Sequence, residues 1–193
     1  MKLGRLLLRG AVGGIFVSHG AQKLLGWFGG PGLDATSEGF ESMGMHPGRL
    51  HATAASVTEV AGGALTLLGF ATPVAASGIT AVMLTAINRV HGKNGFFNAN
   101  GGYEFNLLLI GAALALAEAG PGDPSLDSAL GMDMYGPGWA IAALLGGAAG
   151  AAGAHLYAES QSTPAPAAQT PPATAEQAMS EQPPATSATQ ATA

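Results

Sequence analysis

Apolar residues gather into five stretches along the chain, with polar or turn-rich segments between them. The first runs from Leu6 to Gly26 and the second from Ala52 to Phe70, with one acid, Glu59, inside it. The third covers Thr72 to Asn88, with Pro73 in its first turn, where proline is tolerated. The fourth, Glu104 to Glu118, is short and starts inside the loop before it, and the fifth runs from Pro137 to Tyr157. A helix of about 20 apolar residues crosses a bilayer, so each stretch is read as a spanning helix. The second and third are so close in sequence that they form a tight helical hairpin. The first has a signal-peptide alternative, but His19, Gln22 and Lys23 stand where a small-residue cleavage site belongs, so it is read as retained. Between the first two, Trp27 and Phe28 suit an interfacial aromatic belt, and Gly29-Gly30-Pro31-Gly32 is a turn. Leu33, Phe40 and Met43 then recur near helical spacing among Asp34, Glu38 and Glu41, which predicts a short amphipathic helix on the membrane surface.

The predicted architecture is all-α: an integral membrane helical bundle with a four-helix core, residues 1–119. An acidic loop and a fifth transmembrane helix follow over 120–158. The last segment, 159–193, contains no Leu, Ile, Val, Phe, Tyr or Trp and holds half of the 12 prolines. Such an Ala/Pro/Thr/Gln-rich tail is expected to be disordered. Gly10-x-x-x-Gly14 and Gly146-x-x-x-Gly150 have a spacing that suits close helix packing.

Hairpin topology decides where the polar residues meet. If the first span leaves the N-terminal side, His19 and Lys23 lie near its far end, and at i and i+4 they share one helix face. The second span starts on that far side, which sets Glu59 about 11 Å in at 1.5 Å per residue. The third delivers Arg89 and His91 there, and the fourth departs from it with Glu104 and Asn106. His19, Lys23, Glu59, Arg89, His91, Glu104 and Asn106 therefore converge on one leaflet, while the opposite side is expected to hold few buried polar groups. An acid at membrane depth costs several kcal/mol unless paired, so Glu59 needs His19, Lys23 or Arg89. Two readings of the cluster stand side by side: a lock between helices, or a ligand site. The loop from Asn94 to Tyr103 reads either as an interfacial anchor, through Phe96, Phe97 and Tyr103, or as an aromatic lid.

Composition narrows the chemistry. Only 10% of the 193 residues are charged, 48% are hydrophobic, and the mean hydropathy is +0.30, which argues against a soluble enzyme. The net charge of −5 and the lack of a basic stripe exclude nucleic acid as a partner. No cysteine is present, which removes disulfides, thiolate catalysis and Cys-ligated zinc or iron–sulfur clusters. His46 and His51 are five apart across Pro47 and form no metal pair, and a His19–His91 haem is disfavoured. No metal, haem or nucleotide is implied, since no phosphate-binding Gly-Lys-Ser/Thr loop occurs. Lys2, Arg5 and Arg9 favour an N-terminus inside by the positive-inside rule, against Lys23 (within its helix), Arg49, Arg89 and Lys93 on the far side.

Three ordered motifs resemble the DoxX family. His19-Gly20-Ala21-Gln22-Lys23-Leu24-Leu25-Gly26 with Trp27-Phe28-Gly29-Gly30 looks like its first-helix motif. Glu59-Val60-Ala61-Gly62-Gly63 with Leu67-Leu68-Gly69 resembles its second-helix signature. Gly95-Phe96-Phe97 through Gly102-Tyr103-Glu104-Phe105-Asn106 looks like the start of its fourth helix. The resemblance spans roughly residues 5–118 and implies a small four-helix bacterial protein, multi-pass in the cell membrane. That family is similar to the DoxD subunit of thiosulfate:quinone oxidoreductase, which implies quinone as a ligand. Some relatives are described as joining superoxide dismutase and a sulfurtransferase, which implies soluble redox enzymes of those types as partners.

Three functions follow as expectations. The first is the membrane subunit of a quinone-linked oxidoreductase, with the one-leaflet cluster as its quinone or small-ligand site. The second is a scaffold in the lipid bilayer that recruits redox enzymes and holds no ligand. The third and weakest is a small-solute permease, which needs a homo-oligomer to build a pathway.

Overall fold

The computed structural model describes residues 3–162, so nearly all of the predicted disordered tail lies outside the described residues. Among these residues the chain is helical without strands. Helix α1 is Leu3–Leu25, α2 Gly32–Ser42, α3 Gly48–Leu68 and α4 Thr72–Ala86. Helix α4 continues through a π turn, Ile87–His91, and a 3-10 turn, Gly92–Asn94. Helix α5 is Glu104–Ala119, α6 the single turn Leu126–Ala129, and α7 Pro137–Gln161. All five predicted spans are helices, and α2 is the predicted short helix. The last helix runs beyond Tyr157, so residues 159–161 belong to it rather than to the tail. Ser162, in an extended conformation, ends it.

Helix α1 packs on α3, and α4 sits between α3, α5 and α7. Lipid tails are as apolar as leucine, so helices in a bilayer associate by close packing rather than by hydrophobic burial. Glycine provides that closeness between α1 and α3. A Cβ on Gly13 would lie 2.7 Å from the Gly63 carbonyl oxygen, and one on Gly20 would lie 2.8 Å from that of Ser56. Gly10 and Gly14, the pair picked out by spacing, have open space instead. The rotation of α1 turns Gly13 and Gly20 toward α3. The other predicted motif does meet a helix: Gly146 faces Ser77, and Gly150 faces Ala81 of α4. Val12, Phe16, Ile79, Met83, Leu109, Ile110 and Ala143 fill the centre.

Two segments, Thr72–Asn94 and Pro137–Gln161, are long and apolar enough to cross a membrane on their own. Helices α1 and α3 carry the ionisable residues and are less apolar for that reason. Leucines on the flank, including Leu107, Leu108, Leu144, Leu145 and Leu156, are exposed, as a lipid-facing surface requires. Exposed Trp27, Phe28, Phe96 and Phe97 mark one end of the bundle, and Tyr135 and Trp139 the other. This is the two-belt pattern of a membrane protein.

The N-terminal end of the bundle departs from expectation, because it buries charge. Arg9 is 3% exposed and donates to the carbonyls of Thr66 (3.1 Å), Leu67 (2.6 Å), Pro121 (3.3 Å) and Pro124 (2.7 Å). These include the open carbonyls that end α3. Gly69 ends the helix at φ 61°, and a Cβ there would strike the Arg9 guanidinium at 2.7 Å. Arg5 donates in the same way to Ala119 and Gly120 at the end of α5. Asp127, read only as part of an acidic loop, is 2% exposed and accepts from the Ala71 amide at 2.8 Å and the Thr72 hydroxyl at 3.2 Å. It thereby satisfies free amides at the start of α4. The arginines read as orientation signals are structural staples.

Candidate functional site

At the other end of the bundle the polar residues surround open space. A cavity of about 710 Å³ is lined by His19, Lys23, Glu59, Arg89, His91 and Asn106, six of the seven residues placed in the cluster by topology. Each arrives by the predicted route: two from the last turns of α1, one from α3, two from the end of α4 and one from the first turn of α5. Glu104 is the exception. It does not line the cavity, and its carboxylate accepts from the Asn98 amide at 2.8 Å, holding the loop before α5.

Glu59 is 2% exposed and accepts from Lys23 Nζ at 2.5 Å. The pair crosses from α1 to α3, and Gly20 sets the short interhelical distance that it spans. His19 lies one turn before Lys23 on the same wall. His91 faces both ways, since it lines the cavity while its ring nitrogen Nδ1 meets the Gly101 carbonyl at 2.8 Å. Asn106 is buried and donates to Met83 Sδ at 3.4 Å, a weak partner.

Arg89 differs from the others. It sits in the π turn, a one-residue widening that often marks functional sites. Its Nε is buried and has no hydrogen-bond partner among the described residues. Its head reaches toward the 43–45 turn, where a Cβ on Gly44 would stand 3.8 Å from Nη1. Among the charged residues lining the cavity, Lys23 and Arg89 oppose only Glu59, so with neutral histidines the lining carries one net positive charge.

Sequence reasoning missed the cover and the far wall. Phe40, Met43 and Met45, from the end of α2 and the turn after it, close the cavity on the cluster side. Of these Met45 is 1% exposed. Of the loop from Asn94 to Tyr103 only Asn98 lines the cavity. Phe96 instead packs edge-on against Phe97 and Tyr103, and both phenylalanines are exposed. That arrangement fits the anchor reading rather than the lid. His51 also lines the cavity, is buried, and has its ring 5.9 Å from that of Tyr157 of α7. Nearby His155 has a buried Nε2 without a partner among the described residues. The amphipathic stripe of α2 was the one available signal for the cover. Among the described residues no group of His, Asp or Glu could hold a metal ion.

Outside the spans, a hinge ties α2 to α3. The Glu41 carboxylate accepts from the Gly48 amide at 2.6 Å and contacts His46. The Gly48 hydrogen bond and then that of His46 hold the Glu41 carboxyl below the ordinary carboxylate range. This hinge fixes the 43–45 turn that covers the cavity.

Residues 4–92 match the DoxX family model, a little under half of the chain. The match takes in α1 to α4, with His19, Lys23, Glu59, Arg89 and His91, and ends before Asn106 and the whole of α7. No curated protein and no solved structure matches the chain. Over residues 4–92 the chain is similar to the DoxX family, a family of membrane proteins.

Proposed function

We propose that the protein is the ligand-binding membrane subunit of an oxidoreductase system, multi-pass in a bacterial cell membrane, and that quinone is bound in the one-leaflet cavity. The observation that carries this reading is Arg89: a buried Nε donor without a protein acceptor, at the wall of a cavity with excess positive charge. Arginine and lysine only donate hydrogen bonds, so the group they suit is an electron-rich oxygen such as a quinone carbonyl. Apolar walls with a few convergent polar groups are the usual make-up of small-ligand sites, and ionisable groups inside a membrane are usually functional.

In this reading Arg89 and Lys23 hold a quinone oxygen and stabilise the charge that reduction places on it. Glu59 positions Lys23. His19 or His91 passes the proton that accompanies reduction. With no cysteine and no haem pair in the chain, electrons come from a partner. Soluble redox enzymes of the sulfurtransferase or superoxide dismutase type are the partners that the family resemblance offers.

The test is purification in mild detergent, followed by mass spectrometry of the organic extract and an ultraviolet–visible spectrum. Quinone at a stoichiometric level, lost in a folded Arg89→Gln or Glu59→Gln variant, supports the reading. Protein free of quinone that also fails to bind added quinone rejects it in favour of a scaffold.

A further inference from the structure

The polar cluster occupies only one end of the cavity. The lining continues along α4 from Arg89 to Ser77 and Gly78, twelve and eleven residues away, or roughly 18 Å of helix. Along this length the walls come from α3 on one side, through Ala54, and from α7 on the other, through Gly146 and Gly150. All three are exposed although they line the cavity, while Ser77 and Gly78 between them are half-buried. The cavity is therefore a slot floored by α4 and open on the flank of the bundle. Gly146 and Gly150 stand in the middle of α7, at least roughly 13 Å from either end. An opening at that depth faces hydrocarbon, not water. The slot narrows toward the cluster, where the rings of His51 and Tyr157 bring α3 and α7 together.

We propose that this slot is the tail subsite of the ligand: an apolar chain enters sideways from the bilayer between α3 and α7, and its polar head stops at Lys23, Glu59 and Arg89. This inference rests on the ligand-site reading above. Three observations select an apolar chain of the bound molecule as the occupant. The slot is continuous with the polar cluster, its mouth lies at lipid depth, and about 710 Å³ is room for a whole drug-sized molecule rather than a head alone. Glycine and alanine make the width. Gly150 has a Cβ direction that meets only Ala81 Cβ, at 3.4 Å, so a larger side chain there fills the slot without striking backbone. Helix α7 lies outside the family match.

The experiment compares the affinity of the detergent-purified full chain for two benzoquinones with one head, one bearing a ten-carbon tail and one without it. The wild type is expected to bind the tailed compound at least about tenfold more tightly, since each buried methylene contributes substantially. Gly150→Leu is expected to abolish that advantage and to leave the tail-less affinity unchanged. Ala54→Leu, on the opposite wall, repeats the test if the α7 variant does not fold. Equal binding of both quinones by the wild type, with a phospholipid retained in the protein, assigns the slot to a lipid chain and overturns the proposal while the head site stands. Equal loss of both quinones in the variants also overturns it. Failure of the wild type to bind either quinone removes the ligand-site reading itself.

Discussion

Arg9 and Arg89 lie at opposite ends of one bundle, and what their guanidinium groups meet is different. Arg9 donates to four backbone carbonyls, from the end of α3 and from the 121–124 segment. Arg89 lines a cavity, and its buried Nε has no acceptor among the described residues. At the N-terminal end every buried charge closes a helix terminus: Arg9 the end of α3, and Asp127 the start of α4. At the other end charge surrounds space. The lesson is that burial of an ionisable group in a membrane does not by itself mark a site. A site is marked by a donor that the protein leaves free to bind something else.

The comparison is broken most readily at the stapled end. Arg9→Gln is expected to cost about 3 kcal/mol or more, because several charge-assisted hydrogen bonds disappear and buried carbonyls are left open. Thermal unfolding in detergent measures this as a lowered Tm. Asp127→Ala comes next at about 1–2 kcal/mol, the usual value of a lost cap, and leaves quinone affinity unchanged in a titration.

At the open end, Arg89→Gln is expected to lower quinone affinity by about tenfold, the worth of one hydrogen bond from a charged donor. The smallest effect belongs to Glu41. Its carboxyl is depressed in the folded protein by the Gly48 amide and by His46. The contact therefore contributes above the ordinary carboxylate value of about 4.3 and is lost as pH falls through the lower folded value. Limited proteolysis of the turn after α2 should increase across that acidic window in the wild type. Glu41→Gln should show no such step.

Much of this was legible in the sequence, for a definite reason. Successive spanning helices alternate direction, so the ends of α1, α4 and the starts of α3 and α5 had to share one end of the bundle, and His19, Lys23, Glu59, Arg89, His91 and Asn106 line one cavity there. Glu104 shares that end but not the cavity, because a residue at the first position of a helix can turn back to its own loop, as it does to Asn98. The staples were illegible because a carbonyl acceptor has no sequence signal: Arg9 looks like any basic flank, and Asp127 like any loop acid. The slot was hidden for the opposite reason. Gly78, Gly146 and Gly150 line it, and the spacing of glycines does not say whether a neighbour fills the gap, as at Gly13 and Gly146, or leaves room, as at Gly150.

The most direct measurement takes Arg9→Gln and Arg89→Gln side by side and records both Tm and the affinity for the tailed benzoquinone. The account predicts a crossed result: the Arg9 variant loses Tm and keeps its affinity wherever it remains folded, and the Arg89 variant keeps its Tm and loses affinity. An Arg89 variant that loses Tm while binding quinone as tightly as the wild type would contradict the account and make both ends of the bundle structural.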